Sequence, residues 1–197
     1  GDYVLRESRA PNRVIIRDYF ACAVAEEAER AFARTPEVLA HFSDLFGPYP
    51  FEAYGVVATD LATGAAMENQ TLSLFGRDVL EKMMSDATIG AVYLSHELAH
   101  QWFGNSVTIR EWDDIWLSEG FATYASWLWL EHDRGPQILA TMVEDSLDTL
   151  EGRRHEPPGD PGPDGLFGAS TYQRGALTLH ALRTAVELKT PCLVVYS

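Results

Sequence analysis

Positive charge and cysteine are what this 197-residue chain has least of. Lys and Arg together number 15 against 29 Asp and Glu, for a formal charge of −14. A surface of that sign repels phosphate, which excludes nucleic acid as a partner. Its main effect is to keep the chain soluble, with a slight preference for cationic substrates. The two cysteines, Cys22 and Cys192, lie far apart, match no metal or redox spacing and are read as free thiols. No run approaches the roughly eighteen apolar residues of a membrane span. Nor does a basic stretch leading into an apolar one mark a secretory signal. These absences set the expectation of a cytoplasmic protein without a membrane span. Internal repeats and low-complexity tracts are missing too. What is present is 46 % hydrophobic and 11 % aromatic residues, enough for one domain with a substantial core.

The most informative residues are His96-Glu97-Leu98-Ala99-His100, followed after eighteen residues by Glu119 in Trp116-Leu117-Ser118-Glu119-Gly120. Positions i and i+4 of a helix share a face, so the imidazoles of His96 and His100 can converge on one cation. Two histidines and a carboxylate form the three-ligand set of a catalytic zinc site with a fourth position open to water. One Zn2+ per chain is therefore expected, although ligand type alone does not exclude manganese or cobalt. Glu97, beside the first ligand, can reach that water as a general base. Around Glu119, Asp113 and Asp114 suit the first turn of a second helix. Ile115, Trp116, Glu119, Thr123 and Trp127 then recur at helical spacing, which puts Glu119 among apolar residues. A carboxylate on such a face needs a partner to offset its desolvation, and a metal is one.

Four separated elements make the chain resemble the gluzincin zinc aminopeptidases of peptidase family M1, the aminopeptidase N and leukotriene A4 hydrolase group. They are HELAH with its distant Glu119; Ala65-Ala66-Met67-Glu68-Asn69, similar to a GxMEN signature; Tyr172-Gln173-Arg174-Gly175-Ala176, similar to a Tyr-x-Lys/Arg-Gly motif; and, more weakly, Phe46-Gly47-Pro48-Tyr49-Pro50-Phe51. The resemblance implies that Tyr172 donates a hydrogen bond to the oxyanion and that Glu68 pairs with the substrate's α-ammonium group. It also implies that Ala65, Ala66, Met67 and Asn69 line the substrate site, with Gln70 beside them. Arg174 either orients Tyr172, binds the substrate backbone or makes a surface salt bridge. Ser118, where relatives often carry asparagine, is expected to matter little. Peptides with a free N-terminus are the implied substrates. The N-terminal β-sandwich and C-terminal helical domains of family members find no room here, so an isolated catalytic domain is implied. Two rivals stay open: a thermolysin-type endopeptidase, and a folded zinc-binding fragment without activity.

The implied fold is α+β, a thermolysin-like zincin with a small mixed β-sheet lobe and a predominantly α-helical lobe. Residues 1–187 form the domain, with 1–75 mainly sheet and 87–187 helical, and 188–197 form an atypical tail. Strands are expected at Val14–Ile16 and Tyr54–Thr59, with an extended segment over Thr63–Phe75. Helices are expected over Ala21–Phe46 with a break near Pro36, and over Ala87–Phe103, Trp112–Glu131, Pro136–Leu150 and Ser170–Leu188. Gly152–Gly168 carries too many prolines and glycines for an element interior, and reads as a loop that could border the cleft.

Overall fold

The computed structural model describes residues 2–152 and 156–187. The expectations for Cys192 and for the tail 188–197 lie outside the described residues. The chain opens with a β-hairpin, β1 (Tyr3–Arg9) and β2 (Ile15–Ala21), paired antiparallel from Tyr3↔Ala21 to Arg9↔Ile15. A tight turn closes it, with Arg13 N–H donating to Ala10 O at 2.8 Å and Arg13 at φ 71°. β2 then carries two short parallel partners, β3 (Ala53–Tyr54) and β4 (Val56–Ala58), and β4 is paired in parallel by β5 (Ser73–Phe75). Beyond β5, Met67 bridges Leu74 antiparallel, through N–H···O bonds of 2.9 and 2.8 Å. The Met67-Glu68-Asn69 segment therefore lies on the outer edge of the sheet. It is not continuously extended: Asn69–Leu72 folds into a turn with Thr71 at φ 65°.

Gly55 interrupts the pairing of β2 with β3 and β4 for a steric reason. A Cβ at position 55 would sit 1.8 Å from Arg17 O, so only glycine lets the backbones approach this closely. Alternation along β2 turns Ile16, Asp18 and Phe20 inward. Asp18 stands where an apolar residue is expected, and its carboxylate accepts the Val56 N–H at 2.9 Å next to the interruption.

Two helices follow the hairpin, α1 (Ala25–Ala31) and α2 (Thr35–Phe46), separated at the expected break and with Pro36 in the first turn of α2. α3 (Arg77–Ser85) is a helix the sequence pattern did not reveal. α4 (Ala87–Ala99) starts on Asp86, whose carboxylate accepts the Thr88 and Ile89 amides at 2.6 and 3.0 Å. α5 (Ile115–Arg134) follows a single 3-10 turn, Trp112–Asp114. Then come α6 (Pro136–Leu150), a five-residue π-helical turn (Ser170–Arg174) and α7 (Gly175–Glu187). One core joins sheet and helices: Ile16, Phe20, Phe42, Phe75, Leu98 and Trp129 belong to a single buried cluster. Among the described residues no helix is long and apolar enough to cross a membrane.

Burial pushes the Asp18 carboxyl up to about 6, against the opposing effect of the Val56 hydrogen bond. A folded pKa above the unfolded value means that stability is full below about 4 and is lost as pH rises through about 6. At neutral pH the ionised group costs about 3 kcal/mol. Asp18→Asn keeps an oxygen for Val56 N–H, and should stabilise the chain at pH 7.5 by about 1–3 kcal/mol, roughly twice its effect at pH 5. Urea midpoints of both proteins at the two pH values test this. A variant less stable than the parent at pH 7.5 contradicts it.

Candidate functional site

The last turn of α4 carries His96 and Glu97, and His100 caps the helix with backbone still helical at φ −58°, ψ −19°. Glu119 projects from the first turns of α5, which is buried along most of its length. The two helices bring three donor atoms together. His96 Nε2 and His100 Nε2 are 3.1 Å apart, and Glu119 Oε2 lies 3.2 Å from the first and 3.3 Å from the second. Ligand atoms about 2.0–2.1 Å from a tetrahedral zinc are separated by about 3.3 Å, so this triangle has the size of one face of such a site. These three residues are the group of potential metal ligands among the described residues.

The surroundings select which atoms face the triangle. His100 Nδ1 lies 3.0 Å from Phe103 O and 3.2 Å from Ser118 Oγ. A carbonyl only accepts, so Nδ1 carries a proton and Nε2 is turned to the triangle. Ser118 donates to the same carbonyl at 3.1 Å. Gly104, at φ 130°, makes room: a Cβ there would lie 2.7 Å from Ser118 Oγ. Ser118, which the sequence reading expected to matter little, sets its hydroxyl against a candidate ligand. Such partners orient the imidazole and set its basicity.

The charges are strongly coupled. Burial alone would lower His100, but the hydrogen bond and charge of Glu119 outweigh it and raise the imidazole to about 9. Burial would raise Glu119, yet bonds from His100 and His96 bring it down to about 2. Burial lowers His96, partly offset by Glu119. A proton and a metal ion compete for the same imidazole lone pairs here. Glu97 is buried beside this group, and its Oε2 has no hydrogen-bond partner among the described residues. Burial pushes its carboxyl up to about 8; Glu68 and Glu119 add to the shift and His100 opposes it. An orphaned, buried carboxylate oxygen beside three converging donors is placed to accept a hydrogen bond from a water at that point, so the residues fit the ion.

Glu97, His100 and Glu119 form the inner wall of a cleft of about 880 Å³. Ala65, Ala66, Met67, Glu68, Asn69 and Gln70 line one side, and Thr108 to Trp112 another. Tyr172 closes over the group, its ring stacked on His96 at 6.0 Å between centroids and 24° between planes. It projects from the π-helical turn, an irregularity often found at functional sites. Burial raises its hydroxyl pKa, and the nearby carboxylates add to this. Phe167, near the end of the expected loop, lies at the cleft rim, as its position before Tyr172 suggested. Arg174 is the exception, since it is not among the residues lining the cleft and has no ion pair among the described residues.

Sequence reasoning missed the supports of the Glu68 segment. Fully buried Gln101 accepts the Thr71 N–H at 2.8 Å, and its amide faces Asn69 O and Glu68 O at 3.4 and 3.5 Å. Asn105 Nδ2 donates to Glu68 O at 2.6 Å. Asp78, in the first turn of α3, accepts the Thr63 and Gly64 amides at 2.9 Å each. Only polar residues just past the histidine motif hinted at the first two.

Comparison with known proteins agrees with this geometry. The model of the Peptidase family M1 domain matches residues 30–190. Aminopeptidase N of Oryctolagus cuniculus is 29 % identical, over 89 % of this chain and 20 % of its own. Aminopeptidase M1-A of Oryza sativa subsp. japonica is 32 % identical, over 96 % of this chain and 23 % of its own. Among solved structures, the M1 zinc metallopeptidase of Deinococcus radiodurans superposes with a TM-score of 0.80 at 35 % identity. A variant of that protein bound to a Tyr-Ser-Ala substrate gives 0.81 at 34 %. In both cases 94 % of this chain and 41 % of the other are covered. The chain thus spans about a fifth of the length of these curated relatives, and its α+β architecture is that of a thermolysin-like catalytic domain. With the family model covering most of its residues, this chain belongs to peptidase family M1.

Proposed function

We propose that this chain is the catalytic portion of a zinc aminopeptidase, which hydrolyses the first peptide bond of peptides with a free N-terminus. The observation that carries the reading is the convergence of His96, His100 and Glu119 on one point, with Glu97 Oε2, unpartnered among the described residues, beside it. His96, His100 and Glu119 would hold zinc, whose Lewis acidity lowers the pKa of a water to about 7 and polarises the scissile carbonyl. Glu97 takes the proton of the attacking water and returns it to the leaving amine. Tyr172 donates its hydroxyl hydrogen to the oxyanion that forms on the carbonyl carbon's oxygen. Its raised pKa keeps it protonated and able to donate.

Glu68 pairs with the substrate's α-ammonium group, which sets the first peptide bond at the reacting point. An amine held there cannot belong to the middle of a chain, so the pairing also selects against internal cleavage. Met67 and Leu74 already form an antiparallel bridge on this edge, and an extended peptide laid beside the segment fits strand addition. The family relationship and the substrate-bound relative support the same reaction class.

Removing the base should separate metal binding from catalysis. Glu97→Gln is expected to keep one zinc per chain by elemental analysis while kcat falls by about 10²–10⁴; Tyr172→Phe should lower kcat by about 10²–10³ with little change in KM. Normal turnover by either variant would remove that residue from the mechanism, and zinc bound without turnover by the unaltered enzyme would leave a silent metal domain.

The amine anchor makes a different demand. Matched peptides with free and acetylated N-termini should be cleaved very unequally, and Glu68→Ala should slow the free one by about 10²-fold, the worth of a buried charge pair. Equal cleavage of the two peptides would instead mark a thermolysin-type endopeptidase.

Ser118→Ala deletes the hydroxyl on His100 Nδ1 without touching a donor atom. Zinc affinity, measured by competition with a chelating dye, should fall about 10-fold. An unchanged affinity would make the Ser118 contact incidental.

A further inference from the structure

Glu119 and Tyr172 come from different helices, and something must set the spacing between them. The residue after Glu119 is Gly120, and three residues after Tyr172 stands Gly175. These two glycines meet. A Cβ built on Gly120 would lie 2.9 Å from Gly175 Cα and 3.1 Å from its carbonyl carbon. A Cβ built on Gly175 would lie 3.0 Å from Gly120 Cα and 3.5 Å from Trp116 O. The opposing atoms are backbone, which cannot swing aside as a long side chain does. A methyl group at either position would part the helices by about 0.5–1 Å to restore ordinary carbon–carbon distances.

Neither glycine serves a turn. Gly120 lies inside α5, and Gly175 has helical φ −57° and donates its N–H to Tyr172 O. Alanine is the better helix former at both places, so the glycines are there for close approach. We propose that Gly120 and Gly175 are positioning residues. Their backbone contact fixes the height at which Tyr172 stands over the His96–His100–Glu119 group. The contact is one residue from a metal ligand and less than one helical turn from Tyr172. A displacement at the crossing therefore passes undiminished to the tyrosine ring. The proposal rests on reading that group as a metal site and Tyr172 as the oxyanion donor.

The test places 3-fluorotyrosine at position 172 and follows its 19F signal with Zn2+ or paramagnetic Co2+ bound to the chain. Paramagnetic broadening falls as the inverse sixth power of distance, so a parting of about 0.5–1 Å should reduce it by about twofold in Gly175→Ala. The reciprocal variant Gly120→Ala should do the same, with circular dichroism and metal stoichiometry unchanged in both. In the active enzyme, Gly175→Ala should lower kcat by about 10²-fold with KM little altered. That loss should vanish when Tyr172 is already phenylalanine, because the glycine acts only through the hydroxyl. Broadening that stays at the parent value in both folded variants overturns the proposal. So does unfolding of both, which would make the contact a requirement of the fold. If the unaltered chain shows no cobalt-induced broadening, the metal reading itself fails and the positioning proposal falls with it.

Discussion

Three donor atoms held within about 3 Å of one another, in a space from which water is largely removed, form the constraint around which this domain is organised. Two imidazoles and a carboxylate do not gather in this way for packing. Each loses hydration, and mutual hydrogen bonding can satisfy only part of what is lost. The sequence must therefore supply two helices whose ends meet, and the means to hold them. Asp86 starts α4. Phe46, Trp102 and Phe103 bind the end of α2 to the segment after His100, with ring centroids 5.0–6.2 Å apart. Ser118 and Phe103 O fix the His100 ring, and Gly104 leaves room for both.

A second constraint follows from the first. An edge segment that presents Glu68 to the cleft cannot rely on the sheet alone, since only Met67 is paired to β5. The remaining backbone is tied to the metal helix itself. Gln101 and Asn105 reach from its C-terminal end to the carbonyls and amide of Glu68–Thr71. Thr71 adopts φ 65°, an unfavourable conformation for a β-branched residue, and its amide is taken by the buried Gln101 oxygen. The proposed amine anchor and the three candidate metal donors thus share one scaffold, so their spacing does not depend on a loose loop.

How legible was this from the sequence? The meeting of His96, His100 and Glu119, and the helices that carry them, were readable because their signals are local. The i, i+4 histidines, the apolar spacing around Glu119 and the Pro36 break each state a physical preference within one or two turns. The helix boundaries agree with that reading to within a few residues, and where α4 stops at Ala99 the next residues continue as turns. What escaped was long-range. Gln101 and Asn105 meet Glu68 across more than thirty residues, and no periodicity encodes such a meeting. α3 was missed because Arg77–Ser85 is short and mostly polar, with only Val79, Leu80 and Met83 turned inward. Asp18 was missed for the opposite reason, since an acid in an inward row reads as a flaw until Val56 N–H is seen to need it. Arg174, carried over by resemblance alone, is the one expected substrate residue that does not line the cleft.

The acidity of the cleft ties these strands together. Glu68, Glu97 and Glu119 line the same cleft, and the charges of Glu68 and Glu119 add to the cost of ionising Glu97. Burial takes the Glu97 carboxyl up to about 8, where at neutral pH it would hold its proton rather than accept one. A divalent cation on the neighbouring donors acts in the opposite sense and favours the ionised form. On the proposed reading, Glu97 as base would depend on a bound metal for its charge as well as for its substrate water. On the same reading, a cationic α-ammonium beside Glu68 would add to this effect, so that a free-amine substrate would help prepare the group proposed to deprotonate its attacking water. An acylated N-terminus brings no charge and gives no such help. Selection for a free amine is on this account partly electrostatic, built into the cluster of acids, and not confined to one ion pair.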